Sequence, residues 1–125
     1  MRIFILEDNP ERIKKFKREL IGHILIIVED VESAKEIINS DTESNKYDLM
    51  FLDHDLGGEE MVSPGDNTGY LVAKILSESI NKNSNCIIHS CNHAGARAMQ
   101  FCLPKAILIP FPSLDIQETI KFFSN

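Results

Sequence analysis

Residues 2–10 read Arg2-Ile3-Phe4-Ile5-Leu6-Glu7-Asp8-Asn9-Pro10, an apolar run of strand length that ends in two carboxylates and then in a helix start. The run is continuously Ile, Phe and Leu rather than alternating apolar and polar, as a strand buried on both faces of a parallel sheet requires. Asn9 offers a side-chain acceptor for the first free N–H groups of a helix. Pro10 fits the first helical position, where a missing N–H costs nothing. Apolar Ile13, Phe16 and Leu20 then follow at spacings of three and four, and Gly22 closes the segment. Within twenty residues the chain spells a strand, an acidic junction and an amphipathic helix.

The same grammar recurs downstream. Apolar runs stand at 23–28 (HILIIV), 47–52 (YDLMFL), 85–89 (NCIIH) and 106–111 (AILIPF), giving five expected strands. Between them, a second helix from Asp30 or Val31 turns Ala34, Ile37 and Ile38 inward, and the polar stretch 40–46 reads as a loop. The third helix follows the Asp66–Asn67 turn and buries Leu71, Val72, Ile75 and Leu76. The fourth follows the turn Ser90–His93 with Ala96, Met99 and Cys102 near one face, and the fifth covers about 114–123. Strands alternating with helices imply right-handed crossovers and a three-layer α/β architecture, a doubly wound five-stranded parallel sheet over residues 1–125 as a single domain. In such a sheet ligands bind beyond the carboxyl ends of the strands. The junctions to inspect are therefore Glu7–Asn9, Asp53–Asp55 and His89–Asn92.

Composition narrows the function classes. With 43% hydrophobic and 26% charged residues the 125-residue chain is ordinary for a globular domain, and no apolar run approaches the roughly 20 residues of a membrane span. MRIFILED lacks a small-residue cleavage site, so a cytoplasmic location is expected. Cys86, Cys91 and Cys102 have neither CxxC nor CxxH spacing, which argues against a disulfide framework and a thiolate zinc site. A net charge of −6 disfavours extended duplex DNA as a partner, while leaving room for a nucleotide or short strand at a local basic patch.

With these junctions in view, the chain resembles a response-regulator receiver domain over essentially its whole length. The resemblance implies a (βα)5 sheet of strand order 2-1-3-4-5, an acidic pair at Glu7 and Asp8, a phosphoacceptor at Asp53 and a hydroxyl at Ser90. It breaks at strand five, where Ile109–Pro110 stands in place of the family's Lys-Pro and Lys105 comes too early. The segments Leu52–Gly58 (LDHDLGG) and His89–Gly95 (HSxNxxG), with a long loop to Gly69, are similar to the cyclic-phosphate-processing receiver domains, whose suggested activity is on cyclic phosphate ends of RNA or nucleotides.

The residues themselves carry two readings each. Glu7, Asp8, Asp53 and Asp55 at one sheet edge would repel unless a hard divalent cation, Mg²⁺ or Mn²⁺, is shared between them; alternatively Asp8 braces the first helix and Asp55 pairs with a base. His54, His89 and Asp53 are the candidate catalytic set, the two imidazoles serving as base and acid on a phosphodiester. Against this, consecutive residues of an extended segment face opposite ways, which would turn His54 from Asp53. Ser90 and Asn92, at a helix start, and Arg97, one turn in, are candidate phosphate ligands; capping and a solvent-facing Arg are the plainer alternatives. Gly57, Gly58, Gly65 and Gly69 are expected to serve the backbone geometry of a mobile loop, Gly69 also permitting close packing at the start of the third helix; the stretch reads either as a lid over the pocket or as a disordered insertion. The expected function is a metal-assisted phosphoesterase acting on a cyclic or terminal phosphate of a nucleotide or RNA end. The alternative is an atypical receiver, phosphorylatable or partner-binding.

Overall fold

The computed structural model describes residues 1–56 and 61–124, so the expectation for Gly57 and Gly58 lies outside the described residues. Five strands, β1 (Arg2–Leu6), β2 (Ile24–Val28), β3 (Leu49–Leu52), β4 (Asn85–Ile88) and β5 (Ile107–Leu108), form one sheet in the order β2-β1-β3-β4-β5. Every pairing is parallel. Five α-helices connect or follow them: α1 (Pro10–Glu19), α2 (Val31–Ser40), α3 (Gly69–Ser77), α4 (His93–Cys102) and α5 (Ile116–Phe123). The expected doubly wound α/β architecture is therefore the observed one.

Each helix begins where a side chain satisfies its free N–H groups. Asn9 accepts from Glu11 and Arg12, Asp30 from Ser33, Thr68 from Tyr70, Asn92 from Gly95, and Asp115 from Glu118. Asp115 shifts the start of α5 to Ile116, two residues later than the apolar pattern alone suggests. The last strand is also shorter than the run 106–111. Pro110 lacks an N–H for the ladder, and a 3-10 turn (Phe111–Ser113) takes over directly after it.

The sheet separates two cores by the two-residue period of its strands. Phe4, Leu6, Met50, Leu52 and Ile88 face the layer of α2, α3 and α4, where Val31, Ala34, Val72, Leu76 and Met99 meet them. Ile3, Ile5, Phe51 and Ile87 face Phe16 and Leu20 near α1 and Ile116 of α5. Only β1, β3 and β4 are buried as continuous runs; edge strands β2 and β5 leave Ile24 and Ile107 exposed. That is the correction to five equally buried strands: an edge strand has one neighbour.

Candidate functional site

The register decides the site. Leu6, Leu52 and Ile88 form one row across β1, β3 and β4, the last strand row before the carboxyl edge. The ladder continues by one step, since the N–H of Glu7 donates to Val28 O at 3.0 Å, that of Asp53 to Leu6 O at 3.1 Å and that of His89 to Leu52 O at 2.9 Å. Glu7, Asp53 and His89 are therefore the next row. Alternation turns them away from Leu6 and Leu52 toward the α1 and α5 layer. All three are buried, and one ligand atom from each lies within 4.8 Å of the others.

Glu7 is held as an anion from every side. Its Oε2 accepts from the N–H groups of Asp8 and Asn9 at 3.1 Å each, and its Oε1 accepts from His89 Nε2 at 2.8 Å. Burial pushes its carboxyl upward, but the His89 bond and charge, the Asn9 N–H and Arg12 outweigh that and hold it below the ordinary value. Asp53 is served less well. Burial is the largest influence on it and Glu7 adds repulsion, so that, despite His89, the His54 N–H and Arg12, its carboxyl is pushed up to about 6. The His89 ring sits in an aromatic wall, edge-on to Phe16 at 5.5 Å and to Phe111 at 5.8 Å between centroids.

Arg12, which no motif in the sequence singles out, completes the site. Its Nη1 lies 3.7 Å from Glu7 Oε1 and 3.9 Å from Asp53 Oδ2, and its guanidinium carbon stands 4.6 Å from the centre of the Phe111 ring. The available signal was its position just inside α1: three residues after the Asn9 cap, a long side chain can reach back over the carboxyl edge of β1.

The remaining expected residues are placed elsewhere. His54 goes to the opposite layer from Asp53: its ring is fully buried against Gly95 of α4, where an added Cβ would come 2.4 Å from His54 Cγ. Its Nδ1 donates to Asp55 Oδ1 at 2.9 Å. Asp55 also accepts from Asn92 Nδ2 at 3.1 Å and from the Met61 N–H at 2.7 Å; together these bonds outweigh burial and lower its carboxyl below the ordinary value. Asn92 caps α4 through Oδ1 and gives its amide to Asp55 and to Val62 O. The structure thus makes Asp55 and Asn92 a tie between two loops, and neither Asp55 nor Asp8 belongs to the Glu7–Asp53–His89 group among the described residues. Ser90 stands one step past the row that His89 occupies, its Oγ accepting from the Asn92 N–H at 3.0 Å. Arg97 is exposed on α4 beside Gln100, Phe101 and Pro104, in a groove away from the acidic row. Gly69 does permit close approach: a Cβ there would lie 1.9 Å from Asp53 O.

Volume and chemistry do not coincide. A groove of about 600 Å³ between β5 and α5, lined by Ile107, Ile109, Thr119 and Phe122 among others, contains none of the row's carboxylates. Ion and phosphate chemistry needs converging charged groups, and the Glu7–Asp53–His89 row supplies them.

Comparison with known proteins agrees with this geometry. A family model described as the cyclic-phosphate processing receiver domain matches residues 3–105. No curated protein matches the chain. Among solved structures, the response regulator TrrA of Thermotoga maritima in complex with Mg²⁺ and BeF is similar at 21% identity and a TM-score of 0.67, over 98% of this chain and 97% of that one. TrrA in complex with the histidine kinase ThkA matches at 21% identity and 0.66, over 99% and 98%. The receiver domain of a sensor histidine kinase from Pseudomonas aeruginosa, with magnesium in its active-site cleft, matches at 19% and 0.69, over 98% and 93%. At these identities the likeness speaks for the fold.

Proposed function

Because the chain belongs to the cyclic-phosphate processing receiver domains, we propose that it works as an atypical receiver module in which Asp53, beside a divalent cation, accepts a phosphoryl group. The observation that supports this is the register row itself, which sets a buried nucleophilic carboxylate beside Glu7 and His89 with Arg12 3.9 Å away. In the reaction an Asp53 carboxylate oxygen attacks phosphorus and a new P–O bond forms, while the donor's bond to phosphorus breaks, P–N for a kinase phosphohistidine or P–O for an acyl phosphate, with its electron pair leaving on that donor nitrogen or oxygen. Burial, which lifts Asp53 to about 6, makes the carboxylate more basic while leaving it mostly ionised at neutral pH.

The donor set fits a divalent ion. Two carboxylates and an imidazole converge within 4.8 Å, and Asp8, next in sequence to Glu7 and half-buried, is a further proposed ligand. A bound Mg²⁺ or Mn²⁺ would neutralise the carboxylates and the oxygens of an incoming phosphoryl group. Ser90 is retained as a proposed hydrogen-bond donor to that group. A histidine kinase or a small acyl phosphate is the proposed donor, in the cytoplasm. Intact mass after incubation with acetyl phosphate and Mg²⁺ or Mn²⁺ tests the proposal. A gain of one phosphoryl group, abolished in Asp53→Asn, is expected; no gain with either ion rejects it.

A second reading, hydrolysis of a cyclic phosphate on a nucleotide or RNA end, is favoured by His89 standing next to Asp53 and by the description of the family. It would rest on His89 without His54, whose ring belongs to the α4 side. Turnover of 2′,3′-cyclic nucleotides that His89→Ala loses would support it.

A further inference from the structure

A phosphoryl group arriving at Asp53 adds negative charge to a place already holding two buried carboxylates. Among the described residues, the cation paired with Asp53 is Arg12. Its position has three features that an incidental ion pair does not require. Its Nη1 stands between both carboxylates at 3.7 and 3.9 Å, beyond hydrogen-bond length, so neither contact commits an N–H of the guanidinium. The side chain is only about a quarter exposed, and its guanidinium lies over Phe111. That ring is fixed in turn: the Phe111 N–H donates to His89 O at 2.9 Å, and the ring makes T-shaped contacts with Phe16 and His89. The aromatic wall behind the acidic row thus holds a planar, permanently charged fork at the mouth of Asp53 with donors to spare. A guanidinium matches the oxygens of a phosphoryl group in pairs, which an ammonium does not.

Resting on the receiver reading above, we propose that Arg12 is the phosphoryl-binding residue of this site. It gives its uncommitted N–H donors, held beside the Glu7 and Asp53 carboxylates, to the oxygens of the phosphoryl group on Asp53. Phe111 is its positioning residue. The cation enters from α1, across the carboxyl edge of β1. Lys15 also lies over the Phe111 ring, at 5.3 Å, and is the competing candidate for the same role.

The test uses the full chain and beryllium fluoride with Mg²⁺ or Mn²⁺, read by ¹⁹F NMR and calorimetry, with far-UV circular dichroism to confirm folding. Arg12→Gln is expected to weaken fluoroberyllate binding at least tenfold. Arg12→Lys, which keeps the charge and loses the fork, should fall between Gln and wild type, and the distant Arg18→Gln should match wild type. Phe111→Leu should weaken binding severalfold with Arg12 unchanged. Folded Arg12→Gln that binds like wild type overturns the proposal, and so does a loss confined to Lys15→Gln. If the wild type forms neither an adduct nor an acyl phosphate, the acceptor reading falls separately. Arg12 is then judged on inorganic phosphate: weaker binding by Arg12→Gln keeps it as an anion ligand, and equal binding removes it.

Discussion

Asp53 is nearly out of water, at 5% exposure, and its neighbours pull its charge in opposite directions. Burial and Glu7 together raise its carboxyl from 3.8 to about 6, so the folded protein binds its proton more tightly than the unfolded chain does. The stability this contributes is fully present below 3.8 and is lost as pH rises through about 6. Glu7, held low, acts with the opposite sign: its contribution is present above 4.5 and lost as pH falls through its folded pKa. Between 4.5 and 6, Asp53 is therefore the one of the two that moves. For the metal-free protein, Asp53→Asn should be more stable than wild type at pH 7 by roughly 1–3 kcal/mol, with the difference shrinking toward pH 4.5. Urea unfolding of both proteins across that range checks it; a difference independent of pH would mean that the burial of this charge is relieved in another way.

Among the elements, the start of α4 does more than begin a helix. Asn92 satisfies the Gly95 N–H and also ties the loop after β3 to the loop after β4 through Asp55 and Val62. His54 and the Met61 N–H hold the same Asp55 carboxylate. A capping loss alone costs about 0.5–2 kcal/mol, and stranding a charged acceptor adds to it. Asn92→Ala should therefore destabilise the protein by about 2–3 kcal/mol. A double-mutant cycle with Asp55→Asn should return a coupling of roughly 1 kcal/mol, where independent residues would give additive losses. This network lies on the α4 side of the sheet, and Asp53 touches it through the backbone, its Oδ1 accepting the His54 N–H at 2.9 Å. A change at Asp53 thus has a direct route to the loop that follows β3.

For the whole molecule, the two cores make the sheet the rigid frame on which the acidic row is mounted. Phe51 is fully buried between Phe16 and the neighbouring strands, one residue pair away from Asp53. Phe51→Ala should cost about 3–5 kcal/mol, whereas Phe101→Ala, on a side chain 90% exposed, should change thermal or urea stability by less than about 0.5 kcal/mol. The contrast says how much of the fold was legible. The central strands could be read because burial on both faces leaves an unbroken apolar run, as in Ile3–Leu6 and Leu49–Leu52; the starts of α1, α2 and α4 could be read because Asn9, Asp30 and Asn92 satisfy N–H groups of their own helices, whereas the Asp115 cap starts α5 later than its apolar pattern. Both are local effects, and the carboxyl-edge residues Glu7, Asp53 and His89 were placed by them. Edge strands were overread, since β2 and β5 have apolar runs but one neighbour each. The division of the candidates between two layers belonged to the register. A single step along the chain sends Asp53 to the Arg12 side and His54 to the Gly95 side, and only pairing across three strands says that His89, rather than Ser90, continues the row. The sequence by itself thus determined the acidic edge of a doubly wound sheet. Tertiary structure decided which groups meet there, Arg12 above all, because packing against Phe111 and the two buried carboxylates is a contact between segments that no local pattern encodes.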